Sequence, residues 1–219
     1  MTPVLEQLPL MLAGLVTTIQ LALLAGVIAL LWGILIALFR VSPLAPLRIL
    51  GAVYVEFVRN VPLLVHMFFW VFGLPFVGIT LPEFVGAFFG LGFYTAAFVA
   101  EVIRAGIVSV KRGQLEASRA LGFSYVEMMR LVVLPQAFST VVPPLGNLAL
   151  AMTKNTSVAT SILVPELLYQ TQVVNSRTFA TYPVFFVSAM LYLVLTLPLS
   201  RLVSVLERRM TRYRQVSRA

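Results

Sequence analysis

Apolar residues dominate five long segments of the chain, and shorter, more polar connections separate them. The apolar segments cover residues 10–39, 49–72, 81–108, 134–153 and 182–206. A helix rises about 1.5 Å per residue, so about 20 apolar residues are enough to cross the hydrocarbon core of a bilayer. The pattern therefore predicts an all-α membrane protein with about five transmembrane helices.

Composition agrees with this class. The 219 residues are 60% hydrophobic and 11% charged, and none of them is cysteine. Soluble domains carry about 25% charged residues, so this chain lies far outside their range. The lack of cysteine excludes disulfides and thiolate metal sites. The first segment is expected to remain as a helix rather than be cleaved as a signal peptide, because its apolar run is too long and no basic residue precedes Arg40.

The basic residues predict the topology. Sixteen Lys and Arg oppose eight Asp and Glu, but they flank the apolar segments instead of forming one patch, so no nucleic-acid partner is expected. Basic residues occupy the first connection, the third connection and the tail 207–219, whereas the second connection has none and the fourth has only Arg177. The positive-inside rule then places the N-terminus outside and the C-terminus in the cytoplasm. The tail is expected to lie against anionic lipid.

The third connection, residues 109–133, contains a charged segment rich in helix formers. After a break at Gly113, a helix is expected over residues 115–121, with Glu116 and Arg119 able to pair at i,i+3 and Gly122 able to end it. The candidate docking residues are Gly113, Gln114, Leu115, Glu116, Ala117, Ser118, Arg119, Ala120, Leu121 and Gly122.

So short a helix is marginal alone and would gain order in a groove of another protein. In that interpretation Leu115 and Leu121 are apolar anchors, and the small residues between them permit close approach. From the residues alone, a solvated loop with incidental helix fits equally well. Ser124 and Glu127 are spaced as a capping box that would start a second helix.

Two pairs of opposite charges lie within apolar segments at i,i+3 spacing. They are Glu56 with Arg59 and Glu101 with Arg104. A charge in hydrocarbon costs a few kcal/mol or more and needs a partner or a wet cavity. Local ion pairs near the headgroups are the favoured interpretation, and a role in binding substrate is the alternative.

Polar residues also mark the predicted outer side. Lys154, Asn155, Thr156 and Ser157 follow the fourth segment, where the lysine could meet a substrate carboxylate or simply reach the surface. Thr17 and Gln20 on the first segment could line the same route or form interhelical hydrogen bonds.

Prolines are expected to interrupt helices at three places in the second and fourth apolar segments. They are Pro62, Pro135 and the pair Pro143 and Pro144. A proline removes one backbone donor and clashes with the preceding turn, so such breaks can mark cavities or static kinks.

The order of these motifs resembles a known family. Residues 94–122, followed by Leu134-Pro135-Gln136-Ala137, are similar to the central block and cytoplasmic coupling (EAA) loop of ABC importer permeases of the polar amino acid type. Weaker similarities cover 54–63 and 154–158. Two departures are mild: Ser118 replaces the second alanine of Glu-Ala-Ala, and Asn60 stands where the family usually has a smaller residue.

The resemblance implies a fold, a location and partners. The expected fold is that of MetI-like permeases, with residues 1–219 forming one transmembrane domain in a bacterial inner membrane. The expected partners are a second permease subunit, identical or related, two ABC ATPase subunits that dock on the coupling loop, and an extracytoplasmic solute-binding protein. The implied substrate is an amino acid.

Catalysis by this chain is not expected. A P-loop needs Gly-Lys followed by Ser or Thr, but the lysines here are Lys111, before Arg112, and Lys154, before Asn155. No catalytic residue, metal site or cofactor is expected in this chain; ATP and magnesium belong to the partner ATPase. The alternatives of another class are a gradient-driven transporter or channel and a membrane scaffold.

Overall fold

Helices account for all regular secondary structure in the part of the chain that the structure describes. This computed structural model describes residues 6–216, with side chains through residue 210. The helices are α1 (Leu8–Val41), α2 (Ala45–Asn60), α3 (Leu63–Phe68), α4 (Glu83–Val108), α5 (Arg112–Ala120), α6 (Tyr125–Met128), α7 (Leu134–Asn155), α8 (Leu167–Thr178) and α9 (Thr181–Val216).

Four helical stretches are long and apolar enough to cross a membrane. They are Leu8–Val41, Glu83–Val108, Tyr125–Ile162 and Thr181–Met210. The expectation of an all-α membrane protein is confirmed. In place of the second predicted span, the structure has a pair of helical stretches, Ala45–Asn60 and Leu63–Val77, bent by 106° relative to each other, which form either a broken span or a re-entrant loop. The prediction of one continuous apolar helix over 49–72 was therefore wrong, and Pro62 explains why.

Pro62 breaks the second span by a local steric effect. A proline disfavours the helical conformation in the residue before it, and Val61 accordingly has an extended backbone, with φ −103° and ψ 134°. Helix α2 ends at Asn60, and Pro62 caps α3. Residues 69–73 and 74–77 then continue the chain as a π turn and a 3₁₀ turn.

The other prolines leave their helices intact, contrary to prediction. Pro135 lies in the first turn of α7, where its missing donor is not needed, and it follows a π turn over residues 129–133. Pro143 and Pro144 lie inside α7, which continues to Asn155.

The core forms where α1 and α4 pack closely along their lengths. Small residues permit this approach: a Cβ added to Gly92 would lie 2.8 Å from Cβ of Ile28, and one added to Gly33 would lie 2.7 Å from Cβ of Val99. Close backbone packing by small residues is typical of membrane helices, because lipid provides little hydrophobic force between them.

The last helix is longer than its apolar segment. Helix α9 continues past residue 206 through Val216, so the first part of the basic tail 207–219 extends the helix. Residues 217–219 lie outside the described part of the chain.

Candidate functional site

The charged segment of the third connection forms α5 at the end of the bundle where α4 finishes. Lys111 has an extended backbone immediately before it. The helix includes Gly113, so the predicted break at Gly113 was wrong. A glycine costs only about 1 kcal/mol relative to alanine, whereas a seven-residue helix over 115–121 would be poorly nucleated. Starting at Arg112 adds a turn at little cost.

Gly122 ends α5 in the conformation that the sequence predicted. Its φ is +81°, in the left-handed region. The Gly122 N–H donates to the carbonyl of Arg119 at 2.9 Å, and the Phe123 N–H donates to the carbonyl of Ser118 at 3.1 Å. These two bonds define a Schellman motif, which pairs carbonyls that the helix end would leave unpaired.

The inner face of α5 is held by the protein's own core. Leu115 is half-buried beside an apolar cluster of buried side chains, namely Val110, Met128 and Val133. Leu115 is thus held in part by the protein's own apolar cluster, and its role as an anchor for a partner stays a prediction.

A side-chain hydrogen bond also ties α5 to α7. The Gln136 side-chain amide donates to the side-chain oxygen of Gln114. The same amide donates to the carbonyl of Val132 at 2.9 Å, which orients it. Gln114 and Gln136 come from the two separate parts of the sequence motif, and the fold joins them.

The outer face of α5 is exposed and polar. Its exposed residues include Glu116, Ala117, Arg119 and Ala120. A shallow groove of about 290 Å³ lies along it, lined by Arg112, Leu115, Glu116 and Arg119. Among the described residues, the predicted ion pair between Glu116 and Arg119 does not form. Both charged groups therefore remain available to a partner.

Exposed apolar side chains continue this surface beyond α5. Leu121 is 75% exposed, as predicted for an anchor, and sequence reasoning missed Tyr125 at 60% and Val126 at 70%. The capping box in the sequence could have indicated the exposure of these two residues. Ser124 accepts from the Glu127 N–H at 3.3 Å, and Glu127 accepts from the Ser124 N–H at 2.9 Å, which confirms the box. It turns the first residues of α6 outward.

One of the two predicted intramembrane ion pairs is present. Arg104 Nε donates to Glu101 Oε2 at 3.1 Å within α4. Arg40 from the last turn of α1 joins them, with its Nη2 3.4 Å from Glu101 Oε2. This cluster ties α1 to α4 near the end of the bundle that carries α5.

The other predicted pair is not formed. Glu56 and Arg59 are both exposed on α2, and no ion pair joins them in the described structure. The Arg59 guanidinium lies over the ring of Phe98 instead, 5.4 Å from its centroid. A cation over an aromatic face is a competing contact that i,i+3 spacing does not reveal.

The predicted gate residues end α7 at the other end of the bundle. Lys154 is exposed, and it forms no ion pair with a carboxylate of the described residues. Asn155 is half-buried. The hydroxyls turn inward to their own backbone: Thr156 donates to the Thr153 carbonyl at 2.7 Å and Ser157 to the Lys154 carbonyl at 2.8 Å. Their role in transport stays a prediction.

The two candidates on α1 lie beside α8. The Thr17 hydroxyl donates to the Ala13 carbonyl at 3.2 Å, and Gln20 is exposed. The interhelical contact comes from their neighbour Thr18, which is fully buried and accepts from the Leu167 N–H at 3.1 Å. A place for Thr17 and Gln20 in the substrate route also stays a prediction.

A buried carboxylate that sequence reasoning missed organises this region. Glu166 has no exposed surface, and its side chain accepts from the N–H groups of Leu168 at 3.0 Å and Tyr169 at 2.7 Å. The hydroxyls of Thr160 and Tyr192 donate to it at 2.7 and 3.1 Å. Burial raises the pKa of the Glu166 carboxyl above its usual range. The sequence offered one indication of this role: Glu166 directly precedes Leu-Leu-Tyr, in the position that caps the start of α8.

Fold and site together describe an all-helical membrane protein with an exposed helix, α5, at one end of its bundle. Comparison with known proteins gives the family. Residues 29–212 match the model of the binding-protein-dependent transport system inner membrane component family, and the chain belongs to that family.

Curated relatives cover nearly the whole chain. The probable glutamine ABC transporter permease protein GlnM of Bacillus subtilis (strain 168) is 46% identical over 192 residues, which are 86% of this chain and 89% of that protein. The L-cystine transport system permease protein TcyB of the same organism is 35% identical over 206 residues, 94% of this chain and 88% of that one.

Solved structures of related transporters have the same fold as this chain. A crystal structure of an amino acid ABC transporter with histidines contains a chain that is 36% identical, with a TM-score of 0.88 over 94% of this chain and 96% of that one. The MetNI methionine ABC transporter in an inward-facing conformation is 19% identical, with a TM-score of 0.75 over 94% of this chain and 98% of that one. This second likeness shows the MetI-like fold.

Proposed function

We propose that this chain is the membrane-spanning permease subunit of an ATP-driven importer of polar or charged amino acids. The observation that carries the proposal is α5. Its inner face is fixed to the bundle through Leu115 and Gln114, while its outer face exposes charged and small residues beside Leu121. A transporter that needed no second protein would have no use for this surface.

The attachments of α5 suggest how movement of an ATPase reaches the membrane. A short connection, residues 109–111, joins α5 to α4, and the Gln114–Gln136 hydrogen bond joins it to α7. A push on α5 is therefore passed to two spanning helices at once. Such rigid-body movement of packed helices is a common means of switching between two states.

On the opposite end, we propose that Lys154, Asn155, Thr156 and Ser157 form part of the route or its outer gate, with Thr17 and Gln20 on the neighbouring helix. Lys154 supports this because it is exposed and has no ion-pair partner among the described residues. A lysine so placed can attract the carboxylate of an amino acid.

The assembly follows from this division of work. We propose that residues 1–219 form one permease domain that pairs with a second permease, identical or related. The pair then binds two ABC ATPase subunits at its cytoplasmic end. A solute-binding protein delivers substrate at the other end, so the N-terminus is outside and the C-terminus is cytoplasmic. ATP and magnesium are held by the ATPase, and this chain needs no cofactor and no nucleic acid.

Reconstitution distinguishes this proposal from its main alternative. The full chain is incorporated into liposomes with a candidate ABC ATPase and a candidate solute-binding protein, and uptake of radiolabelled amino acids is followed. Uptake should require ATP on the side of the membrane that carries the ATPase, and binding protein on the opposite side. Uptake driven by a proton or sodium gradient, without ATP or ATPase, would identify a gradient-driven transporter instead.

A further inference from the structure

Arg40 is only partly exposed, and one nitrogen of its guanidinium is buried without a hydrogen-bond partner in the described structure. Its side chain is only 15% exposed, and its one ionic contact among the described residues is Glu101, at 3.4 Å. Its Nη1 atom is buried and has no hydrogen-bond partner in the described structure. A guanidinium has five N–H donors, and leaving a buried donor unpaired is unfavourable. The site thus lacks an acceptor.

Positive charge is in excess around it. Arg40 and Arg104 both pair with Glu101, and the charge of Arg59 also acts on that carboxylate. Arg59 lies over Phe98, one turn before Glu101 on α4. Glu56, the nearby acid on α2, is exposed and unpaired with Arg59. Three cations therefore share one carboxylate, and an additional anion would balance them.

Exposed apolar side chains border this cluster. The stem of Arg40 crosses α2 at Gly51, where an added Cβ would come 3.2 Å from Arg40 Cγ. Beside Gly51, the same helix exposes Ile49 by 63%, Leu50 by 57% and Val53 by 61%. Cations next to an apolar helix face, at the end of two spanning helices, suit a molecule with an anionic head and hydrocarbon chains.

We propose that Arg40, Arg59 and Arg104 bind the phosphate of an anionic phospholipid, whose acyl chains lie against the exposed apolar face of α2. Arginine forks match phosphate oxygens in geometry as well as charge. The adjoining apolar face favours a lipid over free phosphate. An anionic lipid is favoured over a zwitterionic one, because a choline or ethanolamine head supplies its own cation.

Native mass spectrometry of the full chain, delipidated in detergent, tests this directly. The chain is titrated with phosphatidylglycerol, phosphatidylcholine or inorganic phosphate, and bound species are counted. Phosphatidylglycerol should bind the wild type with a Kd at least about tenfold lower than phosphatidylcholine. Arg40→Gln should abolish that difference. The matched control is Arg48→Gln, which removes the same charge from a guanidinium that already donates to the carbonyls of Ser42 and Pro43, and it should retain the preference.

Arg59→Gln keeps the test decisive if Arg40→Gln fails to fold. Arg59 is exposed, so its replacement should weaken phosphatidylglycerol binding without unfolding the chain. Equal binding of the two lipids by the wild type, or an unchanged preference in the variants, would overturn the proposal. The proposal would also be overturned if inorganic phosphate, at the same concentration as the lipid, displaced phosphatidylglycerol. Displacement of the lipid by a free amino acid would overturn it too, and would assign the cluster to the substrate route.

Discussion

The side-chain amide of Gln136, in the first turn of α7, donates a hydrogen bond to the side-chain oxygen of Gln114 in α5. Twenty-two residues separate the two glutamines in sequence, and the capping-box turn at Ser124 brings them together. The contact fixes α5 to a spanning helix, α7, at a point away from their covalent connection.

This contact predicts that Gln136→Leu uncouples the transporter. Leucine keeps the volume of the side chain but cannot donate to Gln114, so movement of α5 should no longer reach α7 directly. In proteoliposomes, ATP hydrolysis should lose most of its stimulation by loaded binding protein while the complex still assembles. The control is Ser139→Ala, whose hydroxyl donates only to the Gln136 carbonyl of its own helix. Normal stimulation in Gln136→Leu would show that the bond does not transmit movement.

Lys154→Ala should slow transport without disturbing assembly. The exposed ammonium is proposed to meet the substrate carboxylate, so its loss should raise the KM for uptake or lower its maximal rate. Arg177→Ala is the matched control, because Arg177 is also exposed near this end and its guanidinium donates to the side-chain oxygen of Gln7, just before α1. Unchanged uptake kinetics in Lys154→Ala would remove this lysine from the route.

Glu166→Ala should strongly destabilise the bundle. It would leave two N–H groups and two hydroxyls without their acceptor in a buried site, and each unpaired buried group costs about 1–3 kcal/mol. The loss of unfolding free energy should exceed about 3 kcal/mol. Glu83→Ala, at an exposed glutamate in the first turn of α4, should cost less than about 1 kcal/mol. Equal melting temperatures for the two variants would contradict the network.

The pKa of Glu166 gives this position a pH dependence of known sign. Burial raises the folded-state pKa of this carboxyl above its unfolded value of about 4.3. Its stabilising contribution is then fully present below the unfolded pKa and is lost as pH rises through the folded one. Glu166→Gln does not titrate, so the wild type should lose stability relative to this variant as pH rises above about 4.3. A wild type that gains stability relative to the variant as pH rises would show that the hydrogen bonds to the carboxylate outweigh burial.

The charge distribution predicts which connections are cytoplasmic. Reporters fused after Arg40 or Arg112 should be cytoplasmic, and reporters fused near Gly78 or Gln172 should be external. The location of each fusion point is measured with two reporters that are active on opposite sides of the membrane, such as alkaline phosphatase and green fluorescent protein. The reverse pattern at both basic sites would overturn the orientation.

Local signals in the sequence were sufficient where the structure depends on neighbouring residues. Apolar length located the spans, the Ser124–Glu127 spacing gave the capping box, and Gly122 gave the left-handed helix end. Each of these features is decided within a few residues of chain. The pair Glu101–Arg104 was predictable for the same reason.

Contacts between distant segments decided the features that the sequence did not reveal. The direction of Leu115 depends on apolar surface brought up by α6, and Arg59 turned to Phe98 because α4 lies beside α2. The Glu166 network draws donors from the 3₁₀ segment Thr156–Ile162 that follows α7, from α8 and from α9. The break at Pro62 is local, but the angle of 106° between the two helical stretches could not be read from the sequence.

The most direct test of the account is whether α5 docks an ATPase. Gly122→Asp forces a non-glycine residue into a left-handed backbone, which costs about 1–2 kcal/mol, and places a negative charge at the end of the docking surface. Gly78→Asp is the matched control, because Gly78 also has a left-handed backbone, with φ +83°, an added Cβ there would have no neighbour within 4 Å, and it lies outside the docking segment. Both variants are purified from membranes with tagged ATPase, and the bound ATPase is quantified. The account predicts that Gly78→Asp retains the ATPase, whereas Gly122→Asp reaches the membrane in normal amount but fails to retain it. Full retention of the ATPase and normal uptake with Gly122→Asp would contradict the docking assignment.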